Sequence, residues 1–221
     1  GEKTRVDALT SNPGHLLWSG LLVPEDAQRV ATVLLSDEMF SGFGVRTMGT
    51  QEGGYNPISY HNGSVWPHDN ALIVAGLLRY GLVEPARRII EGQLRALAQF
   101  PDGRLPELFA GHPAERFGMP IEYPTANRPQ AWASGAVISL VRSLLGLDID
   151  ALARRLVVRP IRIDGLSRLT FRHLPVGQDR IDLEVTFDAG GARVQCHGLP
   201  ADWHLAGPLH RESHLDEGLT S

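Results

Sequence analysis

The strongest constraint on this chain is the contrast between three helical stretches and the long connections that separate them. The run ALIVAGLL at 71–78 is apolar on every side of a helix and is the longest apolar run in the sequence. A helix over it has to be buried all round. The stretch after Pro85 differs in kind: Ala86, Ile89, Ile90, Leu94, Leu97 and Ala98 share one face, with Arg87, Arg88, Glu91 and Arg95 opposite. That is an outer, amphipathic helix. From about Pro129 to Gly146 the chain is again apolar nearly all round, and Ala131, Ala133, Gly135 and Ala136 permit close helix approach. Buried, amphipathic, buried is the order of a double shell in which inner helices line a centre and outer ones wrap them. The predicted fold class is mainly α, part of an (α/α)6 toroid, followed by a small C-terminal antiparallel β element.

The flanking segments fill in the order of elements. NPGHLLWSGLL at 12–22 reads as a short helix begun by Asn12 and Pro13,. A second helix runs from Pro24 to about Phe40, with Glu25 and Asp26 at its positive end,. Ser64 is a predicted N-cap for a helix starting Val65-Trp66-Pro67,. After Leu152 the period changes, and 156–163, 167–174, 180–187 and 192–198 alternate or run β-branched, with a hairpin turn at 188–191,. The expected division is 1–154 for a partial α/α barrel, 155–198 for the strands, and 199–221 for a polar tail, mobile or lightly docked.

Composition removes several classes of function. The net charge is −4, from 21 basic and 25 acidic residues, Lys3 is the only lysine, and the arginines are scattered. A grip on nucleic acid or an anionic membrane needs clustered basic charge, so neither partner is expected. The single cysteine, Cys196, excludes an internal disulfide and a Cys-based zinc site,. Its strand pattern makes it a small buried hydrophobe. The opening GEKTRVDALT lacks the apolar stretch of a signal peptide, and no run is long enough to span a bilayer,. A cytoplasmic location follows as the expectation. The absence of an initial Met suggests a piece of something longer.

Candidate chemistry lies in the two long connections, 41–64 and 101–128, which lack sustained periodicity. Connections of that length inside a compact domain are usually functional. Residues 55–70, YNPISYHNGSVWPHDN, place Tyr60, His61 and Trp66 near a helix start, with no basic residue among them. Aromatics offer faces to sugar rings, and Asn, His and Asp offer hydrogen bonds to hydroxyls. The same composition also fits a structural role, with the rings in the core and His61 capping. His61, His68 and Asp69 invite a metal reading, but the spacing matches no zinc motif, and His68 and Asp69 point to different sides of a helix start. No metal is expected. In DGRLPELFAGH at 102–112, Glu107 is flanked by Leu105, Pro106, Leu108, Phe109 and Ala110. Desolvation raises the pKa of such a carboxylate, which suits general acid/base work, although a surface glutamate on a turn fits as well. Glu122, Tyr123, Gln130 and Trp132 fit a pocket or plain packing. No GxSxG element, P-loop or GxGxxG followed by a helix is present, so triad hydrolysis, nucleotide binding and a Rossmann cofactor have no support,.

Four pieces in order, SNPGHLLWSGL from Ser11, GVRTMGTQEGGYNPISYHNGSVWPHDNALI, LPELFAGH and EYPTANRPQAWASGA, resemble the C-terminal catalytic region of bacterial amylo-α-1,6-glucosidases. These are glycogen-debranching-like members of the six-hairpin, (α/α)6-barrel glycoside hydrolases, and the resemblance covers roughly residues 6–162. It implies an inverting hydrolase acting on α-glucosidic linkages of the glycogen or oligosaccharide type, with carbohydrate as substrate and no cofactor. Glu107 matches the family's general base. Tyr60, His61 and Trp66 match positions lining the sugar subsite, and Gln130 and Trp132 help to shape it. The family's general acid, an aspartate, would lie upstream of Gly1. The chain would then carry the base without the acid and be inactive by itself. Its exposed inner helices would be covered by the missing N-terminal half of the barrel or by a second copy. The alternatives are a non-catalytic carbohydrate-binding or scaffold module of the same toroid type, and an α/α toroid of unrelated purpose such as a prenyl cyclase. The missing aspartate-rich motif counts against the last.

Overall fold

Proline sets the start of the first three helices in the computed structural model, which describes residues 7–207. α1 (Pro13–Ser19), α2 (Pro24–Leu34) and α3 (Pro67–Arg79) each carry proline in the first turn, where its missing N–H breaks no helical bond. α1 stops at Gly20, whose φ of +74° lets its N–H turn back to the Leu16 and Leu17 carbonyls,. α4 (Val83–Gln99) buries Ala86, Ile89, Ile90, Gln93 and Ala96; Ala98 falls off this face and is exposed. α5 (Ala114–Phe117) is a single turn, and α6 (Ala131–Leu145) follows.

The chain divides into two units, Gly1–Leu144 and Leu145–Ser221. In the first, α1 and α4 both pack on α3. The α1 contact is close because glycine stands on each side of it. A methyl group on Gly76 would sit 2.5 Å from the Trp18 nitrogen, and one on Gly14 2.5 Å from Ile73 Cγ1. Asp69, Ile73 and Gly76 fall on one stripe of α3, so the packing that joins the helices also brings Asp69 against Ser11 and His15 at the start of α1.

The long connections are tied down across the fold. Isolated antiparallel bridges link Arg46 to Val65, Val65 to Phe109, and Phe109 to Glu122. Val65 and Phe109 exchange N–H···O bonds of 2.9 and 3.0 Å, and both belong to a core cluster with Phe43, Ala96, Phe100 and Leu105. Arg46 clamps this ribbon from inside: it is 2% exposed, and its Nε donates to the Gly111 carbonyl at 2.6 Å. Its Nη1 donates to the Asp37 and Glu38 carbonyls at 3.2 and 3.3 Å. Because Val65 belongs to the ribbon, α3 starts later than the sequence suggests, at Pro67, and Trp66 takes the cap position. Ser64 is therefore not the N-cap. Its hydroxyl donates to the Tyr60 carbonyl at 2.8 Å and accepts from Trp66 Nε1 at 2.9 Å.

The second unit holds β1 (Asp148–Asp150), β2 (Arg155–Val157), β3 (Arg168–Val176), β4 (Asp179–Asp188), β5 (Gly191–His197) and β6 (His204–Ala206). They form two sheets, β1-β2-β6 and β3-β4-β5. The second sheet is an antiparallel meander in which β4 buries Ile181, Leu183, Val185 and Phe187 at alternate positions,. The segment at 156–163 is strand only as far as Val157; Pro160 has no N–H to give a ladder. β6 lies within the stretch expected as a tail. The rest of that tail, 208–221, falls outside the described residues, as do 1–6 of the opening segment.

The expected mainly α toroid is corrected by this architecture. The structure is 33% helix and 21% strand, with six helices and two small sheets among the described residues. α1 and α5 have 7 and 4 residues, too short to form toroid hairpins, and α2 ends at Leu34 rather than near Phe40. The error lies in the count and length of the helices and in the share of strand, since six helices, one of them a single turn, do not build six hairpins. α3 is covered on almost all sides, but α6 leaves Trp132 46% and Ile138 71% exposed. An apolar pattern reports the surface available for burial, not what covers it. Among the described residues, no helix is long and apolar enough to cross a membrane.

Candidate functional site

The Val65–Phe109 bridge sets the site, because it fixes Tyr60 and Trp66 on one strand of loop against Glu107 on the other. Tyr60 Oη donates to Glu107 Oε1 at 2.8 Å. Asn127 donates to Oε2 from its amide at 3.0 Å and from its backbone N–H at 3.3 Å, while Glu107 N donates to the Asn127 carbonyl at 2.9 Å. Gln130 adds a further side-chain hydrogen bond to the carboxylate. Glu107 is 4% exposed, yet its cover consists of side chains that are themselves open, Tyr60 at 36% and the exposed Asn127. It is shut off from solvent without lying deep in the fold.

That thin cover decides the sign of its pKa. Burial pushes it up, but the hydrogen bonds from Tyr60, Asn127 and Gln130 outweigh burial and hold Glu107 below the ordinary carboxylate value,. The sequence expectation of a raised pKa is thereby reversed: the apolar neighbours are present, but the carboxylate is met by donors from two other loops. The same bond to Glu107 raises the Tyr60 pKa.

Beside Tyr60 lies a cavity of about 520 Å³, with Tyr60, His61, Trp66 and Trp132 in its wall. The rings are ordered by contact. Tyr60 meets Trp66 edge-on at 4.8 Å and His61 at 4.6 Å. His61 lies parallel to Trp66 at 5.9 Å, and Trp132 stacks on His68 at 4.1 Å with planes 6° apart. Trp66 Nε1 is taken by Ser64 Oγ and the Tyr60 carbonyl, leaving the ring to serve as a surface. Glu107 and Gln130 are not part of this wall; Glu107 is linked to it through the Tyr60 hydroxyl. Of the six residues expected from the sequence, four therefore share the cavity and two stand behind it.

A second cluster in the same wall joins His68 and Asp69, which the sequence offered only as metal ligands, to Ser11 and His15, which it did not single out. Asp69, 6% exposed, accepts from Ser11 Oγ at 2.7 Å and lies 2.7 Å from His15 Nε2. His68 Nδ1 is buried without a hydrogen-bond partner among the described residues, and burial lowers the His68 pKa, which suits a neutral ring against the Trp132 indole. Asn127 was also missed. No local pattern marks His15 or Asn127, whose partners lie far along the chain. Among the described residues, no three His, Cys, Asp or Glu side chains come together as metal ligands.

No known family profile and no curated protein matches this sequence. Solved structures do match. The fold is similar to that of part of a protein described as "Sialidase", with a TM-score of 0.63 and 13% identity over 86% of this chain and 19% of the other. A GH63 mannosylglycerate hydrolase from Thermus thermophilus, in complex with Tris, aligns with a TM-score of 0.46 and 18% identity over 61% of this chain and 30% of its own. A GH78 family rhamnosidase of Bacillus sp. GL1 aligns at 0.31 with 14% identity, over 92% and 32%. The last two scores are too low to bear on the argument. The chain spans less than a third of the length of each of these structures. The sialidase likeness shows a shared fold over that part of the other chain and nothing about the reaction.

Proposed function

We propose that the chain is part of a glycoside hydrolase acting on α-glucosidic linkages of the glycogen or oligosaccharide type, with Glu107 as the general base of an inverting reaction. The observation that carries the reading is the setting of Glu107, a carboxylate kept ionised and aimed by Tyr60, Asn127 and Gln130 beside an aromatic cavity. A base has to be deprotonated at working pH and held in one orientation. A carboxylate oxygen can accept two hydrogen bonds; Oε2 already takes both Asn127 donors, whereas Oε1 takes Tyr60 and keeps capacity for the water to be activated. That water would give its proton to Glu107 as it attacks the anomeric carbon, while an acid about 6.5–9.5 Å from the base protonates the leaving oxygen. Asp69 is already engaged by Ser11 and His15, so under this reading the acid comes from elsewhere in a longer protein. Among the described residues no Lys or Arg lines the cavity, and its rings and neutral polar groups fit an uncharged sugar.

A second reading is sugar binding without turnover. It is favoured by the exclusion of Glu107 from the cavity wall, which would make the carboxylate a clasp between two loops. Hydrolysis of maltose, isomaltose and glycogen by the natural-length protein, with the first-formed anomer identified by proton NMR, separates the two. Inversion predicts β-glucose, and Glu107→Gln should lower turnover by about 10²–10⁴-fold while the protein stays folded. Unchanged turnover in Glu107→Gln would remove the base assignment. Saccharide binding with no turnover in the wild type would favour the second reading.

A further inference from the structure

His15 stands in the cavity wall with one ring nitrogen committed and the other open. Nε2 is held by Asp69, whose second oxygen is held by Ser11. Asp69 is buried, whereas the His15 side chain is 46% exposed and lines the cavity beside it. The glycine-mediated packing of α1 on α3 sets the distance between the two residues through the backbone. The ring is thus aimed by the helix contact and a buried carboxylate rather than by its own rotamer alone. Nδ1, across the ring, has no hydrogen-bond partner among the described residues.

We propose that His15 is a ligand-binding residue of this cavity, its Nδ1–H donating to an oxygen of a neutral sugar while Asp69 holds Nε2–H. The proposal rests on the saccharide reading of the cavity and adds the residue that orients the sugar from the α1 side. Among the described residues no arginine or lysine lines the wall, and the charge of a protonated His15 would be offset by the Asp69 carboxylate. An anionic sugar would meet no net positive charge there. From α3, Asp69 and His68 face His15, and Arg79 lies at the far end of α1 against Gly20. His61 shares the cavity. On α2 the charged residues are Glu25, Asp26 and Arg29, of which Asp26 and Arg29 pair with each other. Among the described residues Asp69 alone bonds the ring, and that bond raises the His15 pKa, while burial lowers that of His68. Two histidines beside one carboxylate are thus pushed apart, one toward the cation and the other toward the neutral form.

The test is calorimetric titration of the intact protein with glucose, methyl α-glucoside, maltose and glucuronate, at about pH 5.5 and about pH 8.5, on either side of the histidine range. At least one neutral sugar should bind, about fivefold more weakly at the higher pH, where a charged hydrogen bond becomes a neutral one. His15→Gln alters an exposed side chain and should fold; it should bind about tenfold more weakly at the lower pH and lose the pH dependence. Glucuronate should bind less well than the neutral sugars. Imidazole nitrogen NMR reads His15 directly, and Asp69→Asn should return its titration toward the ordinary histidine value. A wild type that binds none of the neutral sugars overturns the saccharide reading and this inference with it. Binding that neither His15→Gln nor pH alters overturns the inference alone.

Discussion

Replacing Gly111 with alanine is the sharpest perturbation of the ribbon that holds Glu107. The new Cβ would lie 1.7 Å from the Gly63 carbonyl oxygen, against a comfortable C···O separation of about 3.3 Å. The two loops would have to part by about 1.5 Å. Neither is free to do so. Gly111 N donates to the Pro57 carbonyl at 2.8 Å, and the Gly111 carbonyl accepts from Arg46 Nε at 2.6 Å and from Tyr55 Oη at 3.3 Å. Each such bond contributes about 0.5–1.5 kcal/mol net, and one from a buried guanidinium about 1.5–3 kcal/mol. Their joint loss therefore costs about 2.5–6 kcal/mol, a large part of the roughly 5–15 kcal/mol that a domain possesses. Urea unfolding followed by tryptophan fluorescence measures this, because Trp66 sits beside the ribbon; the midpoint should fall with little change in slope. Gly53→Ala is the control, since a methyl group there meets nothing within 4 Å. A loss below about 0.5 kcal/mol for Gly111→Ala, the range of ordinary surface changes, would refute the close approach of the two loops.

Other outcomes are as definite. Tyr60→Phe removes the leading bond that holds Glu107 down, so the Glu107 pKa should rise; a carboxyl carbon NMR titration showing no rise would contradict the assigned balance. The two cavity histidines should shape stability on opposite sides of pH 6.5. His15 has a raised folded pKa, so its contribution is complete below 6.5 and is lost as pH climbs through the folded value; His68 has a lowered one, so its contribution is complete above 6.5 and is lost as pH falls,. Urea midpoints measured across this range should therefore decline on both flanks. His15→Gln should flatten mainly the upper flank, and a profile identical to that of the wild type would rule out the Asp69 pairing.

What the sequence made legible was whatever is local. Proline in the first turn marks α1, α2 and α3, one-sided periodicity marks α4, and alternation marks β3, β4 and β5. The aromatic run at 55–70 and the lone glutamate at 107 stood out by composition, and four of the residues chosen there and in α6 line one cavity. The rest depends on distant partners. His15 looks like an unremarked polar residue among leucines until the Gly14–Ile73 and Gly76–Leu17 contacts bring Asp69 to it. Asn127 is a loop residue until its chain turns back onto Glu107. The sign of the Glu107 pKa was misread for the same reason: flanking residues supply the desolvation, but the compensating donors come from far along the sequence. The toroid expectation failed where α1 and α5 stop after one or two turns and where single-residue bridges, invisible to any periodicity, organise the loops.

The span of those bridges also bears on the order of folding. Tyr60 and Glu107 are 47 residues apart, Ser11 and Asp69 58, and Arg46 and Gly111 65, whereas α3 and α4 are neighbours joined by a short turn. Contacts at long range require loop closure before they return any stabilisation. The α3–α4 pair is thus the natural nucleus, and the cavity, assembled from contacts 47–58 residues apart, closes late. The same ordering makes it the first region to loosen under mild denaturant, so ligand-binding geometry and bulk helix are separable in time as well as in space.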